Sequence, residues 1–246
     1  ESLVAPDADL VREVRAAARA DDLWFKIGRF DPDKRWLMAV SAAAELKRRG
    51  HRARLLMRGG REAHGKEVLG LAEHLGLVVR DVPAPATPTG LVAMLSETAG
   101  TDVLNFTSFL DESLVRVIYA SVDAVLANSG HEPFGLVGLE VMAAGGIAVT
   151  GSTGEDYAEP YRNALVLETD DPLEIVTELA VLKERPRVAA HIRRRGRITA
   201  RDYQWEKVIE QLLLRVEFAA ERQAVRLPAA PPRKRVSRSR TLRSLS

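Results

Sequence analysis

The stretch Asn128-Ser-Gly-His-Glu132-Pro-Phe-Gly-Leu-Val-Gly-Leu-Glu140 joins two carboxylates to a glycine-bearing loop, residue types suited to holding an anion beside a polyol. An apolar run ends near Ala127 and a helical pattern follows to about Ala144, so the stretch reads as strand, loop and helix. The first helical N–H groups, around Phe134–Leu136, have no intrahelical acceptor, and the helix dipole favours an anion in front of them. A phosphate or diphosphate fits there. Glu132 sits in the loop and Glu140 about five residues into the helix, roughly 7–8 Å along its axis. The two carboxylates would flank the anion and accept hydrogen bonds from ribose and sugar hydroxyls. The plainer reading is a loop and a core helix with Leu136, Leu139 and Met142 packed inward.

Compensating positive charge stands in Gly28-Arg29-Phe-Asp-Pro-Asp-Lys34, directly after the apolar run Leu23–Ile27. Ligands of open α/β sheets bind at the carboxyl ends of the strands, which puts this loop on the same edge as Glu132. Arg29 and Lys34 can then neutralise a diphosphate in place of a metal ion; taken singly, each is a solvated surface cation. Other patterns say less. Gly60-Arg-Glu-Ala-His-Gly65-Lys66-Glu67 nearly spells a P-loop, but Glu67 stands where a hydroxyl must hold Mg²⁺. No G-x-G-x-x-G fingerprint occurs. Asp7-Ala-Asp9 and Asp31-Pro-Asp33 have the spacing of a nucleotide-bound metal site, and the second reads equally as a turn and helix start. The five histidines form no H-x-x-x-H pair, so no metal site is expected; the absence of cysteine excludes disulfides, thiolate metal sites and thiol nucleophiles.

These loops need rigid elements to aim them. Seven short apolar runs, Leu23–Ile27, Ala53–Met57, Leu77–Val82, Val103–Phe106, Ala124–Ala127, Ile147–Thr150 and Leu165–Leu167, have the character of strands buried on both faces. Amphipathic helical patterns separate them, so the expected fold is α/β, a Rossmann-like parallel sheet with helices on both faces. Pro32 and Asp33 precede a helix over Lys34–Arg49, and Gly50 ends it. Asp111 caps Glu112–Ser121, and Asp171-Pro172 opens a helix reaching about Lys183. After Pro186 two more helices, Arg187–Ala200 and Gln204–Arg222, close the domain.

With 246 residues, 46% of them hydrophobic, the chain can bury a sizeable core as one large domain. Its net charge of +2 is uneven: seven of the 36 basic residues and none of the 34 acidic ones lie in residues 224–246, so residues 1–223 carry −5. The expected organisation is a leading segment over 1–22, an α/β domain with its closing helices over 23–222, and a disordered basic tail over 223–246. That tail could touch a polyanion or an anionic membrane surface weakly. No run approaches the roughly 18–20 apolar residues of a membrane span and no signal peptide opens the chain, so the cytoplasm is the expected compartment, with the inner membrane face as a peripheral contact. Opening on Glu1 and a polar stretch, the chain reads as an excised piece of a longer one.

Together these residues resemble the C-terminal, donor-binding domain of retaining GT-B glycosyltransferases, the group 1 or family 4-like type, from about Trp24 to Phe218. The most specific part is the E-x7-E of Glu132 and Glu140 with the Val-Met-Ala-Ala-Gly-Gly-Ile-Ala-Val-Thr that follows. Gly28, Arg29 and Lys34 match the family's Gly-Arg…Lys element, and Tyr119…Asp123, Asn163…Asp171-Pro172 and Tyr203-Gln-Trp205-Glu206 match in order and spacing. The resemblance implies one half of a GT-B fold and a metal-independent, cofactor-free, retaining transfer of sugar from a UDP-, GDP- or ADP-linked donor. It implies Arg29 and Lys34 on the diphosphate, assisting the leaving group, with Gly28 beside them. It places Glu132 on the transferred sugar, Glu140 on the ribose, and the amides of Phe134, Gly135, Leu136 and Val137 on sugar or phosphates. The resemblance makes 1–22 an interdomain connection and 23–222 a nucleotide-sugar donor-binding domain; the acceptor-binding N-terminal domain would lie outside this chain, which alone would bind donor and transfer little. The sequence departs from the family at Arg35, where a Gly is usual, at Gly151-Ser-Thr-Gly154-Glu155-Asp-Tyr-Ala-Glu159, where the loop is usually glycine-rich, and in a long Pro83–Gly100 segment. Two other readings stay open: a nucleotide-sugar-binding module without catalysis, and another GT-B-like enzyme, either a phosphorylase with its lysine-bound pyridoxal phosphate or a sugar epimerase.

Overall fold

The computed structural model describes residues 6–153 and 155–223, and the expected tail over 223–246 lies outside them from residue 224 on. In chain order the elements are α1 (Ala8–Ala17), β1 (Asp22–Ile27), a 3-10 turn (Pro32–Lys34), α2 (Trp36–Arg48), β2 (Ala53–Arg58), α3 (His64–His74), β3 (Val79–Val82), α4 (Pro88–Glu97) and β4 (Val103–Phe106). There follow α5 (Glu112–Ser121), β5 (Ala124–Ala127), α6 (Leu136–Ala144), β6 (Ala148–Thr150), β7 (Leu165–Val166), α7 (Pro172–Glu184), α8 (Pro186–Asp202) and α9 (Trp205–Arg222). Residues up to Gln204 form one compact unit and those from Trp205 a second, described here by the 18-residue amphipathic helix α9 with its Val208, Leu212 and Val216 stripe. Among the described residues no helix is long and apolar enough to cross a membrane.

All seven expected strands form and pair in parallel, in the order β3-β4-β2-β1-β5-β6-β7. The alternation of side chains along each strand feeds two cores. Trp24, Leu55, Met57 and Leu126 point to the face covered by α2, α3 and α7. Leu23, Phe25, Leu56 and Val125 point to the face covered by α1, α4, α5 and α6. α1, expected as part of an interdomain connection, buries Val14 and Ala17 in that second core. Asp123 fixes the junction: its Oδ2 accepts from the Leu23 amide at 2.8 Å and from Arg15 at 3.0 Å.

The element boundaries show where local signals yield to tertiary ones. Asp111 and Asp171 cap α5 and α7 as expected, accepting from the amides two residues on. The expected helix over Lys34–Arg49 is instead broken at Arg35, which sits at φ 50°, ψ 45°, between the 3-10 turn and α2. β3 begins two residues later than its apolar run because the Leu77 amide closes the end of α3 on the Ala72 carbonyl. α4 was unexpected: Thr87 caps it through Oγ1 to the Gly90 amide at 3.1 Å, Pro88 takes the first position, and Leu91 and Leu95 bury its inner face.

Candidate functional site

From β1 and β5, which are neighbours, the strand order runs outward in opposite directions, so the connections after their carboxyl ends diverge and leave a crevice. The crevice is a cleft of about 230 Å³. Lys26, Ile27 and Gly28 line it from the end of β1, Leu126 and Ala127 from the end of β5, Leu136–Gly138 from the first turn of α6, and Lys34, Ser129, Glu132, Phe134, Gly135 and Glu155 from the segments around it.

Backbone chemistry aims these loops. Gly28 stands at φ +150°, a conformation side-chain-bearing residues rarely adopt, and lets the chain turn away from β1. The Trp36 indole donates to the Arg29 carbonyl at 2.7 Å and Glu62 accepts the Phe30 amide at 2.9 Å, which pins the loop from inside. The Gly130 amide donates to the Asp33 carbonyl at 2.7 Å and Lys34 pairs with Glu132, so the loops after β1 and β5 are knitted together. Gly135, in extended conformation, offers α6 no side-chain cap, which leaves the first N–H groups of the helix for a ligand. Tyr157 donates its hydroxyl to the Gly135 carbonyl, and its ring packs with Phe134 and Tyr203 at 5.9 and 5.8 Å.

The charges are unevenly matched. Lys26 is wholly buried, donates to the Leu126 carbonyl at 3.0 Å and Asn128 Oδ1 at 2.6 Å, and sits 5.2 Å from the Trp36 ring centre. Burial first, then Lys34 and Arg35, draw its pKa well below the ordinary lysine range, and its two hydrogen bonds staple β1 to β5. Glu155 is 7% exposed and its Oε2 has no hydrogen-bond partner. Burial, and the Glu132 carboxylate after it, push its pKa up to about 7 against the pull of Lys34.

Of the residues singled out in the sequence, the structure gathers Gly28, Lys34, Glu132, Phe134, Gly135, Leu136 and Val137 around one cleft. Arg29 and Glu140 lie outside its lining. The Arg29 side chain is 72% exposed with Asp31 at 3.8 Å, and the Glu140 Oε2 accepts from the buried Tyr119 hydroxyl at 3.1 Å. Desolvation raises the Glu140 pKa despite that hydrogen bond. The two Asp-x-Asp pairs serve as caps, Asp7 for α1 and Asp31 for the 3-10 turn, and Glu67 faces His64 on its own helix at 2.8 Å. Lys26, Ser129, Glu155 and Tyr157 were not singled out; a lone lysine inside an apolar strand was the one local sign among them. Arg35 occupies the left-handed region, which gives the physical reason for the glycine usual at that place and costs a residue with a side chain about 1–2 kcal/mol. Its guanidinium reaches Asp170 at 2.5 Å.

A parallel sheet with helices on both faces and a cleft at its topological switch point is the architecture of one Rossmann-like half of a GT-B fold. Residues 8–199 match the model of the family described as glycosyl transferases group 1, and the chain belongs to that family. It is 31% identical over 230 residues to a D-inositol 3-phosphate glycosyltransferase of Saccharomonospora viridis, a match covering 85% of this chain and 48% of that protein. Among solved structures, it is similar to sucrose-phosphate synthase of Thermosynechococcus elongatus, with TM-score 0.63 and 23% identity over 89% of this chain and 50% of that one. Anabaena HepE in complex with UDP-glucose superimposes with TM-score 0.66 and 18% identity over 87% of this chain and 54% of that one. The chain thus spans about half the length of the relatives it matches.

Proposed function

We propose that this chain is the donor-binding half of a retaining, metal-independent glycosyltransferase that moves a sugar from a nucleoside-diphosphate sugar to an acceptor. The observation that carries the reading is the convergence of Lys34, Glu132 and the uncapped start of α6 on one cleft at the β1/β5 switch point. The diphosphate lies over the amides of Phe134–Val137 with Lys34 beside it, and Arg29 reaches it from the solvent side. Negative charge grows on the diphosphate as the sugar turns oxocarbenium-like, and fixed positive groups stabilise it there without a metal or cofactor. Glu132 exchanges its bond to Lys34 for sugar hydroxyls, and Glu140 accepts from the ribose. HepE, which shares the fold, is known bound to UDP and to UDP-glucose, which makes UDP the first nucleotide to test. The acceptor site belongs to an N-terminal domain outside this chain.

The test is calorimetric titration of the chain with UDP, GDP and ADP, each with Mg²⁺ and with EDTA. One nucleotide binding equally well under both conditions is the expected result. A strict Mg²⁺ requirement overturns the metal-independent part, and no binding of any overturns the donor-site assignment. For the basic stretch 224–246 we infer weak electrostatic contact with polyanions or anionic membrane. Its deletion should abolish salt-sensitive heparin binding and leave nucleotide binding intact; surviving heparin binding refutes the role.

A further inference from the structure

Glu155 is the one carboxylate in the cleft to which the donor reading gives no task, and its surroundings are those of a group held neutral. It is more than nine-tenths buried, and its Oε2 has no partner. A Cβ built on Gly135 would clash with its Oε1, so the carboxyl fills the space a side chain at Gly135 would take. The carboxyl therefore lies at the N-cap of the nine-residue helix α6, beside the N–H groups that would receive a phosphate.

We propose that Glu155 is a further donor-site residue whose carboxyl must be protonated for a nucleoside diphosphate to enter, so that donor binding takes up a proton. This rests on the donor-site reading above. Each group facing Glu155 bears on the argument. Glu132, before α6, repels the ionised form. Lys34, on the 3-10 turn, is the cation that could neutralise it, but Lys34 is already paired with Glu132. Lys26, at the end of β1, directs its buried amine to the Leu126 carbonyl and Asn128 Oδ1. Tyr157, on Glu155's own loop, directs its hydroxyl to the Gly135 carbonyl, and Tyr203 packs on Tyr157. The cations among them are already engaged, and only the uncapped start of α6, the place the phosphate itself would take, favours the ionised form. A diphosphate entering the cleft raises the proton affinity of Glu155 further, and by linkage the protonated protein binds it better. Once protonated, the carboxyl changes from competitor to donor and can offer its O–H to a phosphate oxygen.

Calorimetric titration of the chain with UDP, GDP and ADP at pH 6.5, 7.5 and 8.5, in buffers of different ionisation enthalpy, reads both affinity and protons exchanged. With the nucleotide that binds, the wild type should take up close to one proton at pH 8.5, and Kd should rise toward about tenfold per pH unit above about 7. Titration of the phosphate itself, near pH 6, has the opposite sign and lies below that window. Glu155→Gln, which keeps the shape and a donor, should bind with a flat profile over the same range and match or exceed the wild type at pH 8.5. Proton uptake near zero, with wild type and E155Q sharing one pH profile, overturns the role of Glu155 and leaves the donor-site reading standing. Failure of wild type, E155Q and Glu155→Gly alike to bind any of the three nucleotides at any pH, with far-ultraviolet circular dichroism unchanged, overturns the donor-site reading and this inference with it.

Discussion

Gly151 follows β6 and faces the Ser129 carbonyl in the loop after β5; a Cβ placed on it would fall well inside the 3.0 Å that real Cβ atoms keep from such neighbours. Both atoms of that approach are backbone, so no rotamer change relieves it, and Gly151→Ala must part the two loops by roughly an ångström. Overpacking of this kind costs about 1–3 kcal/mol, which at this chain length lowers Tm by about 2–12 °C. Function should fall with it, because Ser129 and Glu132 both line the cleft and the Ser129 hydroxyl lies 3.3 Å from Glu132 Oε2. Displacing such groups by about 1 Å should weaken nucleotide binding by roughly 10- to 100-fold. Gly70→Ala is the matched control. It sits inside α3 with nothing within 4 Å of a new Cβ, so the same substitution should stabilise by about 0.5–1 kcal/mol and leave binding alone. Scanning calorimetry and nucleotide titration at 20 °C measure both quantities. A Gly151→Ala protein with Tm and affinity equal to wild type refutes the account of how the cleft is held.

Lys34→Met should weaken the bound nucleoside diphosphate by about 10- to 150-fold, the worth of one charged hydrogen bond, while the parent nucleoside binds as before; equal losses for both ligands in titration would place Lys34 elsewhere than on the phosphates. Arg54, buried in β2, donates to the Ala18 carbonyl at 2.9 Å and the Leu95 carbonyl at 3.0 Å. Arg54→Met strands both, and urea unfolding should show a loss of about 2–4 kcal/mol with no change in nucleotide affinity below the transition; unchanged stability contradicts that bookkeeping. Stability should also report Glu155. Its folded pKa of about 7 lies above its ordinary value of 4.5, so the native state favours the protonated form, and stability present below pH 4.5 is lost as pH rises toward 7. E155Q escapes this, so its urea midpoint should pass that of wild type across pH 4.5–7 and stay above it; parallel curves would show that Glu155 is not held neutral.

The sheet was legible because each strand is short, apolar and bounded by turn residues, and the caps Asp111 and Asp171 carry their own local chemistry. The 3-10 turn at Pro32 was hidden because the apolar spacing of α2 runs smoothly back through it, and what breaks the helix is the left-handed Arg35, a backbone state that composition does not advertise. Thr87-Pro88 with Leu91 and Leu95 carry the signature of α4 inside the long Pro83–Gly100 segment, a cap and two apolar positions one turn apart. In the site, Gly28, Lys34 and the Glu132–Val137 loop were legible because strand–loop–helix geometry fixes them locally. Glu155 in the cleft and Tyr157 on the Gly135 carbonyl were not, since both contacts depend on how the connection from β6 to β7 folds back on the start of α6.

Lys26 and its acceptor on Leu126 are 100 residues apart in the chain, and between them lie three strands and four helices. The cleft therefore has no local precursor: it exists only after the β1/β5 closure, whose loop entropy must be met before its contacts repay it. On the proposed donor-site reading, a nucleotide finds its site late in folding and only in the native state. It should accordingly raise stability by mass action while leaving the refolding rate nearly untouched, its whole effect appearing as slower unfolding.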